Sequence, residues 1–292
     1  MIRPLADDYA GDAGDKALVA RAREGDADAI AELVERHQPW IYNITRRMLY
    51  HAHDAEDATQ EVLIKVVTKL STFEDRSSFR TWLYRIVVNH VLNVKRVQRA
   101  EPLTFSVYAA ALQRTPDLDL PDPAALPADA QLLVDEARIG CTSGLLLCLN
   151  EEQRLIYILG GIFGVSDVVG SELLEISRDN YRQKLARARH DLHSFMHGEC
   201  GLVNSANPCR CRRKTLGFIR LGYIDPSKLA FATERIEHVR EVAGDRLEAL
   251  VQLDADYAAI YRDHPFHRSP DFVGAVKQLL QQRTVRPILD GE

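Results

Sequence analysis

The sequence predicts an all-helical protein: two small helical modules, an extended linker between them, and a helical extension at the C-terminal end. Three observations carry that prediction. Apolar residues recur at three-to-four spacing through residues 15–100 and again after about residue 129, the period of helices buried on one face. Asp, Asn and Ser stand just before several of these stretches, where helix N-caps belong. Five prolines, Pro102, Pro116, Pro121, Pro123 and Pro127, crowd into one block with no sustained period.

The elements follow in order. Residues 1–14 are acidic, lack an apolar core and are expected to form a flexible tail rather than a secretory signal. Asp15 is expected to cap a short helix that ends at Gly25 and carries Leu18, Val19 and Ala22 on one face. Asp26 opens the next, with Ile30, Leu33, Val34, His37, Ile41, Ile44 and Met48 along one stripe. Asp54, with Asp57 three residues on, reads as the cap of a third helix whose stripe is Val62, Leu63, Val66, Val67 and Leu70. After the polar break STFEDRSS, a fourth helix carries Phe79, Leu83, Ile86, Val87 and Val91. These make one module, 15–100.

Residues 101–128 read as an extended, acidic, Pro-rich linker. The second module, 129–197, has three cap signals: Asn150, Ser166 and Ser177. Residues 198–292 follow His197 with GECGLVNSANPCRCRRKT, then show helical patterns at 227–243, 245–263 and 270–283. Their apolar faces need burial, against one another or on the modules.

Charge sharpens this outline. The 292-residue chain has a net charge of −5, unexpected for a protein that grips DNA alone, because Lys and Arg supply most phosphate affinity. The charge is unevenly spread. Arg76, Arg80, Arg85, Lys95, Arg96 and Arg99 fall in one stretch, and Arg178, Arg182, Lys184, Arg187 and Arg189 in another. Between them, Asp117 to Glu136 holds six acids and no base. Two basic faces joined by an acidic strap point to nucleic acid. No apolar run approaches the roughly 20 residues that span a bilayer, so a cytoplasmic protein is expected. An enzyme is not: there is no Gly-rich phosphate loop, no paired-carboxylate pattern and no nucleophile–base motif.

Residues 54–88, DAEDATQEVLIKVVTKLSTFEDRSSFRTWLYRIVV, closely resemble region 2 of sigma factors of the extracytoplasmic-function (ECF) type in the sigma-70 family. The likeness extends back through LVARAREGDADAIAELVERHQPWIYNI, about 85 residues in all. It implies that Asp54, Asp57, Gln60 and Glu61 dock on the clamp helices of the largest RNA polymerase subunit. Without the resemblance, the same acids read as a solvated helix face. It also implies that Arg80, Arg85, Asn89, Asn93, Lys95 and Arg96 serve the −10 promoter element. The arginines and lysine would sit against phosphates, and the amides would capture an unstacked base. Trp82 reads as core packing.

Residues 149–196 look like region 4 of the same family, a helix-turn-helix for the −35 element. In such a motif the last helix enters the major groove. Arg178, Arg182, Gln183, Lys184 and Arg187 would lie on it, and the arginine fork suits a guanine edge. Three positions depart from the family pattern. Gly170 replaces a branched apolar residue, Glu175 a turn glycine, and Tyr181 a small β-branched residue.

The resemblance ends there. His197, Cys200, Cys209 and Cys211 could enclose a structural or sensory zinc. Cys-x8-Cys-x-Cys is not a paired Cys-x2-Cys knuckle, however, and reduced structural cysteines fit as well. Arg210, Arg212, Arg213 and Lys214 could touch nucleic acid or the acidic linker. The implied function is promoter recognition and melting together with core RNA polymerase, with no required cofactor. An anti-sigma protein is a further possible partner, and the extension is read as a modulator. Two other readings are a sigma-like decoy that sequesters an anti-sigma protein and a stand-alone helix-turn-helix regulator. Asn89, Arg96, Arg182 and Arg187 argue against the first, and module 15–100 against the second.

Overall fold

The computed structural model describes residues 3–98, 103–118, 128–232, 237–238 and 257–281. The expected all-α class holds, apart from a two-residue antiparallel ladder. Helices α1 (Asp12–Arg23), α2 (Ala27–Leu49), α3 (Ala52–Lys69) and α4 (Phe79–Gln98) form the first module. Helices α6 (Ala128–Leu145), α7 (Glu151–Ile156), α8 (Asp167–Leu174) and α9 (Arg178–Glu199) form the second. The extension contributes α10 (Cys211–Arg220), α11 (Tyr257–Arg262) and α12 (Phe272–Gln281).

Several caps fall where the sequence places them. The Asp26 carboxylate accepts from the amides of Asp28 and Ala29 at 3.0 and 3.1 Å. The side chains of Asn150, Ser166 and Ser177 likewise accept from the third residue of α7, α8 and α9. Asp54 is not a cap: α3 starts earlier, with His51 at its N-cap and Asp54 in its first turn.

Asp15 is not a cap either. It lies inside α1 and is fully buried. It accepts from Tyr9 Oη at 2.9 Å and Arg36 Nη1 at 2.6 Å, and its Oδ2 lies 3.2 Å from His37 Nε2. Burial alone would raise its pKa, but the bonds from His37, Tyr9 and Arg36 outweigh that and hold it below the usual value.

Residues 3–11 are packed rather than a free tail. Leu5 is buried in the core, and Arg80 donates to the carbonyls of Pro4 and Ala6 at 3.1 and 2.6 Å. The apolar plug and the half-buried guanidinium hold a segment whose composition is otherwise that of a tail.

Nor is the described part of 101–128 all extended. Thr104 caps α5 (Phe105–Arg114), whose rings pack tilted or edge-on against α9: Phe105 and Tyr108 lie 5.6 and 5.9 Å from Phe195. Asp117 pairs with Lys214 at 3.2 Å, so the acidic strap meets the basic cluster of the extension. Asp119 and Asp122 lie outside the described residues, as does the side chain of Asp129.

The two modules and the extension share one core. Trp40 of α2, Phe163 beyond α7 and Phe266 of the extension form a ring cluster with centroid separations of 5.2, 5.3 and 6.1 Å. Arg154 of α7 is fully buried and donates to Leu146 O (2.8 Å), Leu149 O (2.7 Å) and Met48 O (3.1 Å). It thereby satisfies carbonyls at two helix ends, one in each module.

The extension is fixed to α2 by bonds between α2 side chains and the extension's backbone. Asn43 donates to His267 O at 2.7 Å and accepts from His267 N at 2.9 Å, and Arg47 donates to Pro265 O at 2.7 Å. Glu136 of α6 accepts from the amides of Ala230, Phe231 and Ala232. The pattern at 270–283 matches α12, and α11 lies within 245–263. The pattern at 227–243 does not give a helix among the described residues: 227–232 are turns and coil, and Glu237–His238 pairs with Pro265–Phe266. Residues 239–256 lie outside the described residues.

Candidate nucleic-acid interface

The helix-turn-helix is built around its departures. A Cβ on Gly170 would lie 2.4 Å from Tyr181 Cζ, so the large ring on α9 takes the volume that a branched side chain on α8 would fill. Tyr181 is fully buried there. Glu175 ends α8 in the left-handed region, with φ at 55°. That conformation is why a glycine suits the turn, and for a residue with a Cβ it costs roughly 1–2 kcal/mol.

The expected −35 side chains are distributed over the outer faces of α9. Arg178, Gln183 and Arg187 are exposed. Arg182 is also exposed, and it is held by Asp167 and by Asp179, the latter at 3.4 Å. Lys184 is half-buried and pairs with Glu152 at 2.5 Å, which turns it toward α7. A guanidinium in such exposed pairs is easily released, because each is worth about 1 kcal/mol or less.

On α4, Asn89 and Asn93 are both exposed, four residues apart, so the two amides share one open face. The side chains of Lys95 and Arg96 lie outside the described residues. Arg80 and Arg85 are drawn inward. Arg80 holds the N-terminal segment and stands 3.7 Å from Asp12. Arg85 donates to Glu172 O at 3.2 Å and stands 3.6 Å from Glu175 Oε1. This α4–α8 contact joins the two modules, and its partners are too far apart in sequence to leave a local pattern. Trp82 is half-buried between Phe73 and Phe79, as core packing predicts.

On α3, Asp57, Gln60 and Glu61 are exposed and Asp54 half-buried. Asp57 stands 3.1 Å from His53, and Glu61 stands 4.0 Å from Lys65 and 3.8 Å from His90. The acidic side chains therefore share one exposed strip of α3.

The expected zinc ligands are arranged differently from one another. Cys200 and Cys209 pair their backbones in a parallel bridge that closes a loop. Arg210 ties that loop through Ser205 O at 2.8 Å and Cys209 O at 2.9 Å. Burial lifts the Cys141 thiol well above its ordinary range, and the nearby Cys211, Cys209 and Cys200 add to the effect. Cys211 is likewise pushed up to about 12 by burial and then by Cys200 and Cys209. His197 is exposed beside His193. Among the described residues no group of three His, Cys, Asp or Glu side chains is arranged to hold a metal ion.

An all-helical pair of modules, one with an open acidic helix and an amide-bearing basic helix, the other a helix-turn-helix, defines a DNA-binding transcription protein. Residues 33–101 match the Sigma-70 region 2 family. The ECF RNA polymerase sigma factor SigW of Bacillus subtilis is 27% identical over 179 residues, 61% of this chain and 94% of that protein. The ECF RNA polymerase sigma-E factor of Haemophilus influenzae is 27% identical over 181 residues, 60% of this chain and 91% of its own length. Among solved structures, that of CnrH in complex with the cytosolic domain of CnrY aligns with a TM-score of 0.45 at 24% identity, over 63% of this chain and 97% of that one. The chain thus carries a sigma-70 region 2 and is similar to the ECF sigma factors of that family. It is longer than these relatives, and no helix among its described residues is long and apolar enough to cross a membrane.

Proposed function

We propose that this chain binds core RNA polymerase and directs transcription initiation by reading the −10 and −35 promoter elements with its two modules. The observation that carries the reading is the pairing of a region 2 module with a helix-turn-helix whose last helix exposes Arg178, Arg182, Gln183 and Arg187. In this reading α3 offers Asp57, Gln60 and Glu61 to the polymerase, while Asn89 and Asn93 meet the melted −10 strand. The relatives' names as RNA polymerase sigma factors support it. The acidic net charge fits a subunit that grips DNA only as part of a larger complex. Reconstitution tests it: purified chain added to core polymerase should give promoter-dependent run-off transcripts from genomic fragments. Absence of core binding by the chain, whether α12 is docked or released, would overturn it.

A further inference from the structure

The extension places a helix on the surface that the first module would offer to polymerase. Helix α12 carries an apolar stripe, Phe272, Val276 and Leu280, at four-residue spacing, and all three side chains are buried. The Phe272 ring lies 6.2 Å from Tyr42 of α2. Phe272, Ala275 and Val276 close a crevice whose other wall is Gln60, Leu63, Ile64 and Val67 of α3. Lys277 pairs with Asp28 at the start of α2, at 3.1 Å.

That wall of α3 is not separate from its acidic face. Gln60 belongs to both. At about 100° per residue, Ile64 lies only about 20° around the helix axis from Asp57. Packed helices approach to about 8–10 Å between axes. A helix seated against Leu63, Ile64 and Val67 therefore fills the space a second helix would need to reach Gln60 and Asp57. The −10 cations show the same inward use, since Arg80 and Arg85 are spent on Pro4, Ala6, Glu172 and Glu175.

We propose that the α2–α3 face is a helix-docking surface with two competing occupants, α12 of the same chain and a helical element of core polymerase. The inference rests on the sigma factor reading. Helix α12 suits the role of a displaceable occupant. At ten residues it is too short to persist alone in water, so undocking and unfolding are one event. Among the described residues its hold is an apolar stripe and an exposed ion pair.

Val276→Asp, in the full chain, places a charge within the stripe and alters no residue of α2 or α3. Hydrogen exchange should show α12 unprotected while α2 and α3 stay protected. Affinity for core polymerase should then rise about tenfold, the factor by which a surface free about one-tenth of the time weakens its apparent affinity. Lys277→Glu, a surface change that sets two acids side by side, should move affinity the same way by about twofold. Glu61→Arg should weaken binding in both backgrounds. If α12 is released and core affinity does not rise, the competition is wrong although the sigma factor reading stands. If neither the full chain nor Val276→Asp binds core polymerase, both are wrong.

Discussion

The phenol ring of Tyr181 occupies the space into which a side chain on Gly170 would project, 2.4 Å from where its Cβ would lie. Two departures from the family pattern are thus one compensated exchange of volume between α8 and α9. Alone, Gly170→Val overpacks the joint and should cost about 1–3 kcal/mol. Alone, Tyr181→Val opens a cavity at a fully buried site and should cost about 2–4 kcal/mol. The double variant should be more stable than the sum of the two predicts. Urea denaturation of the four proteins measures the coupling, and strict additivity would refute the exchange.

The left-handed Glu175 gives a second expectation. Glu175→Gly relieves the strain at a φ of 55° and should stabilise the chain by about 1 kcal/mol. It also removes a partner of Arg85, but that partner is mostly exposed and the pair 3.6 Å long, so the loss should be smaller. A fall in the denaturation midpoint would show that the Arg85 contact outweighs the strain.

Acid should loosen the extension. His264 is buried with Nε2 2.6 Å from Thr142 Oγ1, and burial, then Arg47 and Arg138, hold its pKa well below the usual value. His267 is lowered by burial and then by Arg47, Arg46 and His264. Both stay neutral when folded, whereas an unfolded histidine takes up a proton near about pH 6.5. Their contribution is therefore complete above that value and is lost as pH falls through and below it. Between pH 7.5 and 5.5 the loss should reach about 1–3 kcal/mol. His264→Gln should flatten the dependence in urea midpoints taken across that range; an unchanged slope would count against the assignment.

On DNA, Arg182→Ala should cost about 1–3 kcal/mol at a cognate −35 element and relax preference at one base pair. Arg178→Ala should weaken all sequences alike and reduce the salt slope by about one. Equal weakening by Arg182→Ala on cognate and scrambled sites would remove it from base reading. Competition binding of the polymerase holoenzyme to such DNA separates the outcomes.

Much of the architecture was legible because its signals are local. Asp26, Asn150, Ser166 and Ser177 cap helices through amides two or three residues away, and α2 and α4 carry long stripes. What escaped depends on distant partners. Asp15 has the composition of a cap, yet Arg36 and His37 take it into the core. Leu5 is one apolar residue in an acidic segment, with no period to reveal its burial. Helix α5 was hidden by its proline-rich flank, and the strand at Glu237–His238 by a helical period. The stripe of α12 was visible, but not the face that receives it. The candidate site divides likewise. Asn89, Asn93, Arg182 and Arg187 are exposed where the pattern puts them, while the inward use of Arg80 and Arg85 follows only from tertiary contact.

The ring cluster of Trp40, Phe163 and Phe266 also sets an order of events during synthesis. About 226 residues separate the first ring from the last. At roughly 5–20 residues per second, the ribosome needs on the order of 10–45 s after making Trp40 to deliver Phe266. Through that interval the nascent chain presents Trp40 and then Phe163 without their final neighbour. Chaperone dependence in the cell should therefore follow translation speed through the last third of the message, which supplies the closing ring.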